Sequence, residues 1–136
     1  MKFNKQNNFR PGRSSGKTYD INGKDIFFRS VWEANYALYL DFLIVHGEIR
    51  SWRYEPVTFW FEGIKRGTRS YKPDFEVLLF DDTKEYHEVK GWLDPKSKTK
   101  LNRMRIYYPG TKMVLIDRKS YREIVKKLKG IIKFYE

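Results

Sequence analysis

Two strand-like runs flank one short turn, and together they constrain this chain more than any other feature. The first is Asp74-Phe75-Glu76-Val77-Leu78-Leu79-Phe80, preceded by Pro73. The second is Tyr86-His87-Glu88-Val89-Lys90, and Asp81-Asp82-Thr83-Lys84 lies between them. Side chains alternate between the faces of a strand, so Glu88 and Lys90 share one face and Val89 points to the other. Paired as a hairpin, the runs bring the carboxylates of Asp74 and Glu88 toward the ammonium of Lys90. Two hard oxygen ligands can hold Mg²⁺, and a nearby lysine can position or deprotonate a water. The competing reading is a solvated hairpin with Glu88 and Lys90 as surface charges. Pro73 cannot donate a ladder hydrogen bond, so it predicts an edge or a bulge beside Asp74. Asp81 and Asp82 read as turn residues rather than ligands. His87 falls on the face opposite Glu88 and is given no catalytic part.

The remaining elements follow from local chemistry. Tyr19 to Phe28 predicts a short hairpin around Asn22-Gly23, a strong turn dipeptide. Ser30-x-x-Glu33 is a capping-box pattern, and Trp32, Tyr36, Leu40 and Leu43 follow at helical spacing. His46-Gly47 stops that helix. Strand-like runs cover Ile49 to Tyr54, Val57 to Phe61 and Thr68 to Phe80, the last interrupted at Pro73. Asp94-Pro95 is an N-cap followed by proline at the first helical position, with the helix running to about Tyr108 and ended by Pro109-Gly110. Lys112 to Ile116 reads as a strand, Ser120 to Lys129 as a capped helix and Ile131 to Tyr135 as a short terminal strand.

The motif and the element order together resemble the PD-(D/E)XK nuclease superfamily. The stretches Arg29-Ser30-Val31-Trp32-Glu33-Ala34-Asn35-Tyr36, Tyr71-Lys72-Pro73-Asp74-Phe75 and Glu88-Val89-Lys90-Gly91-Trp92 look like small phage-encoded endonucleases of that superfamily. Holliday-junction resolvases are the best-known members of that branch. The resemblance implies an α/β fold with an αβββαβ core, a mixed central sheet flanked by helices. It implies a Mg²⁺-dependent endodeoxyribonuclease, with Mn²⁺ as a substitute, acting on branched or four-way DNA. The metal would be held by Asp74, Glu88 and the backbone carbonyl of Val89. Two symmetric cuts in a four-way junction would further require a two-fold homodimer. Phe27-Phe28 and Trp60 are candidates for its interface and equally for the core.

Glu33 has two readings. It completes the helix cap with Ser30, or it adds the acidic residue that the first helix supplies in many branches of the superfamily, reaching a metal through water. Glu55 precedes Pro56 and is therefore expected to be extended; it reads as a rim charge rather than as an acid approaching the cleft from a neighbouring strand. Free lysine is protonated at neutral pH and two adjacent carboxylates favour that state, so Lys90 is assigned positioning and electrostatic work rather than a strict base role.

Charge points to the same partner. The chain of 136 residues carries 28 Lys and Arg against 17 Asp and Glu, a net charge of +11, as expected of a protein that meets a polyanion. Lys65, Arg66 and Arg69 flank Gly67 at an expected hairpin tip. Lys96, Lys98, Lys100, Arg103 and Arg105 fill the helix after Lys90 with no acid between them. Lys96, Lys100 and Arg103 share one face for phosphate, and Leu101, Met104 and Tyr108 share another for packing. Lys126, Lys127 and Lys129 read as a solvated face. Residues 1–17 read as a flexible basic arm and 18–136 as one nuclease domain. The absence of cysteine excludes disulfides and thiol chemistry. With no secretory or membrane-length apolar run, the expected setting is a bacterial or phage-infected cytoplasm, and no organic cofactor is expected. Two rivals stay open: a non-catalytic basic nucleic-acid-binding module, and a restriction-type duplex endonuclease.

Overall fold

The structure, a computed structural model, describes residues 16–136. Of the basic arm, residues 1–15 lie outside the described residues, and Lys17 belongs to the first strand rather than to the arm. Strands β1 (Lys17–Ile21) and β2 (Lys24–Phe28) form an antiparallel hairpin. Its turn is Asn22-Gly23, both at positive φ (51° and 94°), the backbone a tight hairpin needs to match strand twist.

Helix α1 (Val31–Val45) starts where the cap predicts: the Ser30 hydroxyl accepts the Glu33 N–H. The reciprocal half is displaced by one residue, because Glu33 Oε1 accepts the N–H of Arg29 at 3.0 Å. At the other end Gly47 sits at φ 72°. There Glu48 N–H bonds the Leu43 carbonyl and Gly47 N–H bonds that of Ile44, which is the Schellman closure.

Four strands form the central mixed sheet, in the order β3 (Ser51–Tyr54), β6 (Phe75–Leu78), β7 (Lys84–Val89) and β8 (Lys112–Ile116). The first three are antiparallel, and β8 runs parallel to β7. Helix α2 (Pro95–Tyr107) makes the crossover that this parallel pair requires. It is capped by Asp94, whose side chain accepts the Ser97 N–H. The β6–β7 turn is the expected one: Asp81 accepts the Thr83 N–H and Asp82 is at φ 69°. Strands β4 (Phe59–Trp60) and β5 (Ser70–Tyr71) make a separate small hairpin.

The two faces of the sheet are covered differently. Phe75, Val77 and Val89 point into the larger core, shared with Tyr36, Ala37 and Leu40 of α1, Ile21 and Phe28 of the first hairpin, and Tyr121 of helix α3 (Arg118–Leu128). Phe75 is fully buried and lies within 5.4–6.2 Å, centroid to centroid, of four aromatic rings. Truncating it to alanine would cost about 3–5 kcal/mol. The second core holds Phe61, Tyr71 and Met104, with Leu101, Tyr108 and Met113 around them, and it fastens the β4–β5 hairpin to α2.

Four expectations need correction. Pro73 does not mark an edge, because β6 lies between β3 and β7; the proline stands just outside the first paired residue of an interior strand. Glu55 is not extended: its φ is 47°. Helix α3 begins at Arg118, two residues before Ser120, because Asp117 accepts the Ser120 N–H and takes the cap. Ile131 to Tyr135 is not a strand. The Asn35 side chain accepts the Tyr135 N–H and donates to its carbonyl, so the backbone groups a ladder would use are already spent. Among the described residues no helix is long and apolar enough to cross a membrane.

Candidate active site

The sheet register assembles an acidic row. Tyr54 pairs with Phe75, and Phe75 with His87. One step further along the same register places Glu55 beside Asp74 and Asp74 beside Glu88, and the Glu55 N–H bonds the Asp74 carbonyl at 2.8 Å. Three neighbouring strands thus end in three carboxylates, and the first turn of α1 adds Glu33 above them. Asp74 and Glu33 are 7% and 8% exposed.

Each acid is held by a specific donor. Asp74 Oδ2 accepts the Val89 N–H at 2.8 Å. Glu88 Oε1 accepts the Tyr71 hydroxyl at 2.6 Å. Glu33 Oε1 accepts the Tyr54 hydroxyl at 2.7 Å as well as the Arg29 N–H. Arg29 Nε donates to Glu55 at 2.8 Å, the ion pair nearest the row. The two phenols and Arg29 had no signal in the local sequence, and Glu55, read as a rim charge, stands in the row instead. Each depends on residues 17 to 26 positions away.

These donors do not balance the charge. Burial pushes the Asp74 carboxyl well above the usual carboxylate range, and the charges of Glu88, Glu33 and Glu55 push it further, against the single Val89 N–H. Glu88 is raised by burial, with the Tyr71 hydroxyl and Lys90 pulling it back. Burial also raises Glu33, although Tyr54 and the Arg29 N–H oppose it. Lys90 follows Glu88 by two residues on the same face, and its N–H bonds the Ile116 carbonyl at 3.0 Å. The next residue, Gly91, runs directly beneath Trp32, where a Cβ would come within 3.0 Å of the indole.

The donor set suits a hard divalent cation. Among the described residues no three His, Asp or Glu side chains are grouped so as to hold a metal by themselves. The candidate set is two carboxylates and a carbonyl. In a strand the N–H and C=O of one residue face the same neighbour, so the Val89 carbonyl faces Asp74 as its N–H does. The register continued to Val89 reaches Pro73, which has no hydrogen to give that carbonyl. Asp74, Glu88 and the Val89 oxygen thus share one corner of the sheet, with excess negative charge around it.

The other acids and histidines fall elsewhere. Glu76, on the same face of β6 as Asp74, is satisfied by Arg53 at 2.5 Å, Tyr86 at 2.9 Å and Lys84 at 3.7 Å. His87 is buried on the α1 side, bonded to the Tyr36 hydroxyl and to Glu85. His46 forms the C-cap of α1.

The structure brings together only some of the expected DNA-binding residues. Lys65 and Arg66 are exposed in the β4–β5 loop, which Gly67 turns at φ 73°. Arg69, Lys96 and Lys100 line a common groove. Lys98 is exposed elsewhere on α2. Arg103 donates to the Thr68 carbonyl, so it ties the loop to α2 as well as adding charge. Comparison of the chain with protein-family models, with curated proteins and with solved structures finds no match.

Proposed function

We propose that this protein is a Mg²⁺-dependent endodeoxyribonuclease of the PD-(D/E)XK type. The observation that carries the reading is the pair Asp74 and Glu88, the first buried and the second half-buried, side by side at the end of two adjacent strands with Lys90 following on the same face. The order α1, β3, β6, β7, α2, β8 supports it, being helix, three antiparallel strands, helix and parallel strand. So does the basic groove next to the row.

Asp74, Glu88 and the Val89 carbonyl would hold the cation. When bound, Mg²⁺ supplies positive charge to the phosphoryl oxygens and an acidified water. The chain does the rest. Tyr71 fixes Glu88 in one rotamer by its 2.6 Å hydrogen bond, and the Val89 N–H does the same for Asp74. Lys90 presents its ammonium on the face of Glu88, where it orients the attacking water and offsets charge on the phosphate. Arg69, Lys96 and Lys100 draw the phosphodiester backbone toward the row and set its path. Glu33 accepts a hydrogen bond from Tyr54 and adds a further negative charge over Asp74.

Branched DNA, with a four-way junction as the type substrate and a homodimer as the working species, is the substrate reading that the resemblance favours. The deciding experiment incubates the protein with labelled duplex, single-stranded, flap and four-way DNA, in Mg²⁺ and in EDTA. Metal-dependent cuts that vanish in Asp74→Asn are expected. Paired symmetric nicks in the four-way substrate would establish the resolvase reading, and mixed wild-type and Asp74→Asn dimers would then nick one strand only. Equal nicking by Asp74→Asn would overturn the site.

A further inference from the structure

Beyond the reacting corner, the molecule carries a groove of about 450 Å³ between the β4–β5 hairpin and α2, lined by Trp60, Gly67, Thr68, Arg69, Ser70, Lys96 and Lys100. Its composition is unusual for a protein contact. Among the described residues Trp60 is the one apolar side chain in the lining, it is 59% exposed, and the charged members are all cationic. A protein-docking patch of this size would be apolar at its centre. A single exposed indole at the edge of three cations is instead a stacking platform beside phosphate sites.

The ring is exposed for a structural reason. Phe59, its neighbour on β4, turns inward and packs edge-on against Tyr86 and Tyr108, so strand alternation turns Trp60 outward. The backbone beneath it is fastened twice to α2. The Tyr108 hydroxyl donates to the Trp60 carbonyl at 2.6 Å, and Arg103 donates to the Thr68 carbonyl. The groove is therefore preformed. It is also continuous with the acidic row. Ser70 lines it, the next residue, Tyr71, holds Glu88, and the Lys100 ammonium stands 6.0 Å over the Tyr71 ring.

From this we infer that the groove binds an unpaired segment of DNA, with Trp60 stacked on a base and Arg69, Lys96 and Lys100 on successive phosphates, and leads that strand to Glu88. The inference rests on the endonuclease reading for its purpose but not for its test. Bases in a continuous duplex have no free face for the indole, so the groove takes strand that is unpaired at the branch point, as a flap carries and as a four-way junction exposes when its crossover opens.

The test is binding without cleavage. Fluorescence anisotropy in EDTA measures a labelled oligothymidylate and a duplex of equal length against wild type, Trp60→Ala, Trp60→Phe and Lys96→Gln. Trp60→Ala is expected to weaken the single strand about ten- to a hundredfold and the duplex less than about twofold. Trp60→Phe keeps most of the affinity. Lys96→Gln weakens both and makes the single-strand salt slope shallower by roughly 0.7. Equal losses on both substrates in Trp60→Ala, or no loss on either, overturn the inference. Circular dichroism of each variant separates such a result from misfolding, and Trp60→Gln, which removes the aromatic face at an exposed position, repeats the test with the same expected and overturning outcomes should Trp60→Ala not fold. Cleavage in Mg²⁺ is scored separately. Intact cleavage without single-strand preference removes the groove assignment alone, and single-strand binding without cleavage removes the nuclease reading alone.

Discussion

Asp74, immediately before β6, and Glu76, within it, stand two residues apart, face the same side of the sheet and are almost equally buried, yet their surroundings are opposite. Burial works against Glu76, but Arg53, Tyr86 and Lys84 outweigh it and hold its carboxyl below the usual range. Asp74 has burial and three further acids against it, and only one N–H in its favour. A carboxylate matched by cations in its own fold is structural. One left short of positive charge in a protein with a net charge of +11 leaves that place for something outside the chain. Local charge deficit, rather than burial or acidity alone, separates the candidate site from the scaffold.

The comparison breaks most sharply by mutation. Asp74→Asn should drop Mg²⁺-dependent cleavage below about a thousandth of wild type while DNA binding holds or tightens, because a negative charge facing phosphate is lost. Glu76→Gln should keep cleavage within about threefold and lower stability by about 1–2 kcal/mol. If the two exchange these effects in nicking and melting assays, the distinction fails. Lys90→Ala comes next. A single-turnover rate lower by roughly 10²-fold, with unchanged binding, is expected of a group that positions water. A rate within a factor of three would leave Lys90 a surface charge.

Stability against pH sharpens the contrast by sign. A carboxyl raised in the folded state makes the fold hold protons that the unfolded chain releases. The stability this adds is present at low pH and is lost as pH rises from the ordinary carboxylate range through the raised folded-state value. Glu76 contributes oppositely: its stability is present above the ordinary range and lost as pH falls through its lowered value. Metal-free protein should therefore melt lower at pH 7.5 than Asp74→Asn does, by about 1–2 kcal/mol. Mg²⁺ at a hundred times its dissociation constant should raise wild type by about 2.7 kcal/mol and leave Asp74→Asn unmoved. Equal Mg²⁺ shifts in both proteins, read by scanning calorimetry, would show that the cation binds elsewhere. The smallest effect belongs to Glu33→Gln. The amide oxygen can still accept from Arg29 and Tyr54, so melting should hold or rise while cleavage falls about tenfold. Lower melting with normal specific activity would return Glu33 to a capping role alone.

Much of the fold is readable in the chain because it is local. Asn22-Gly23, Ser30 with Glu33, His46-Gly47 and Asp94-Pro95 each state a turn or a cap within four residues, and every one stands where its local chemistry puts it. The hairpin that carries Asp74 and Glu88 is local too. What escapes a sequence reading depends on distant partners. Glu55 takes a positive φ against its pre-proline preference, with its side chain on Arg29 and its N–H on Asp74. Tyr71 and Tyr54 acquire their roles only when their strands meet Glu88 and Glu33. The β-branched and aromatic residues of Ile131 to Tyr135 suit a strand, but Asn35 has claimed the Tyr135 backbone, and composition does not report that.

Pro73 acts as a boundary rather than as a strand residue. Any other residue at that position would carry an amide hydrogen, and the β6–β7 ladder could zip one pair further, closing on the Val89 carbonyl. The ring nitrogen stops the zipper one rung early, and the Asp74 side chain covers the Val89 N–H left behind. What remains is a carbonyl that faces Asp74 at the end of an interior strand pair, an opening held in the backbone itself. The same position thus trades a rung of sheet for a lone pair.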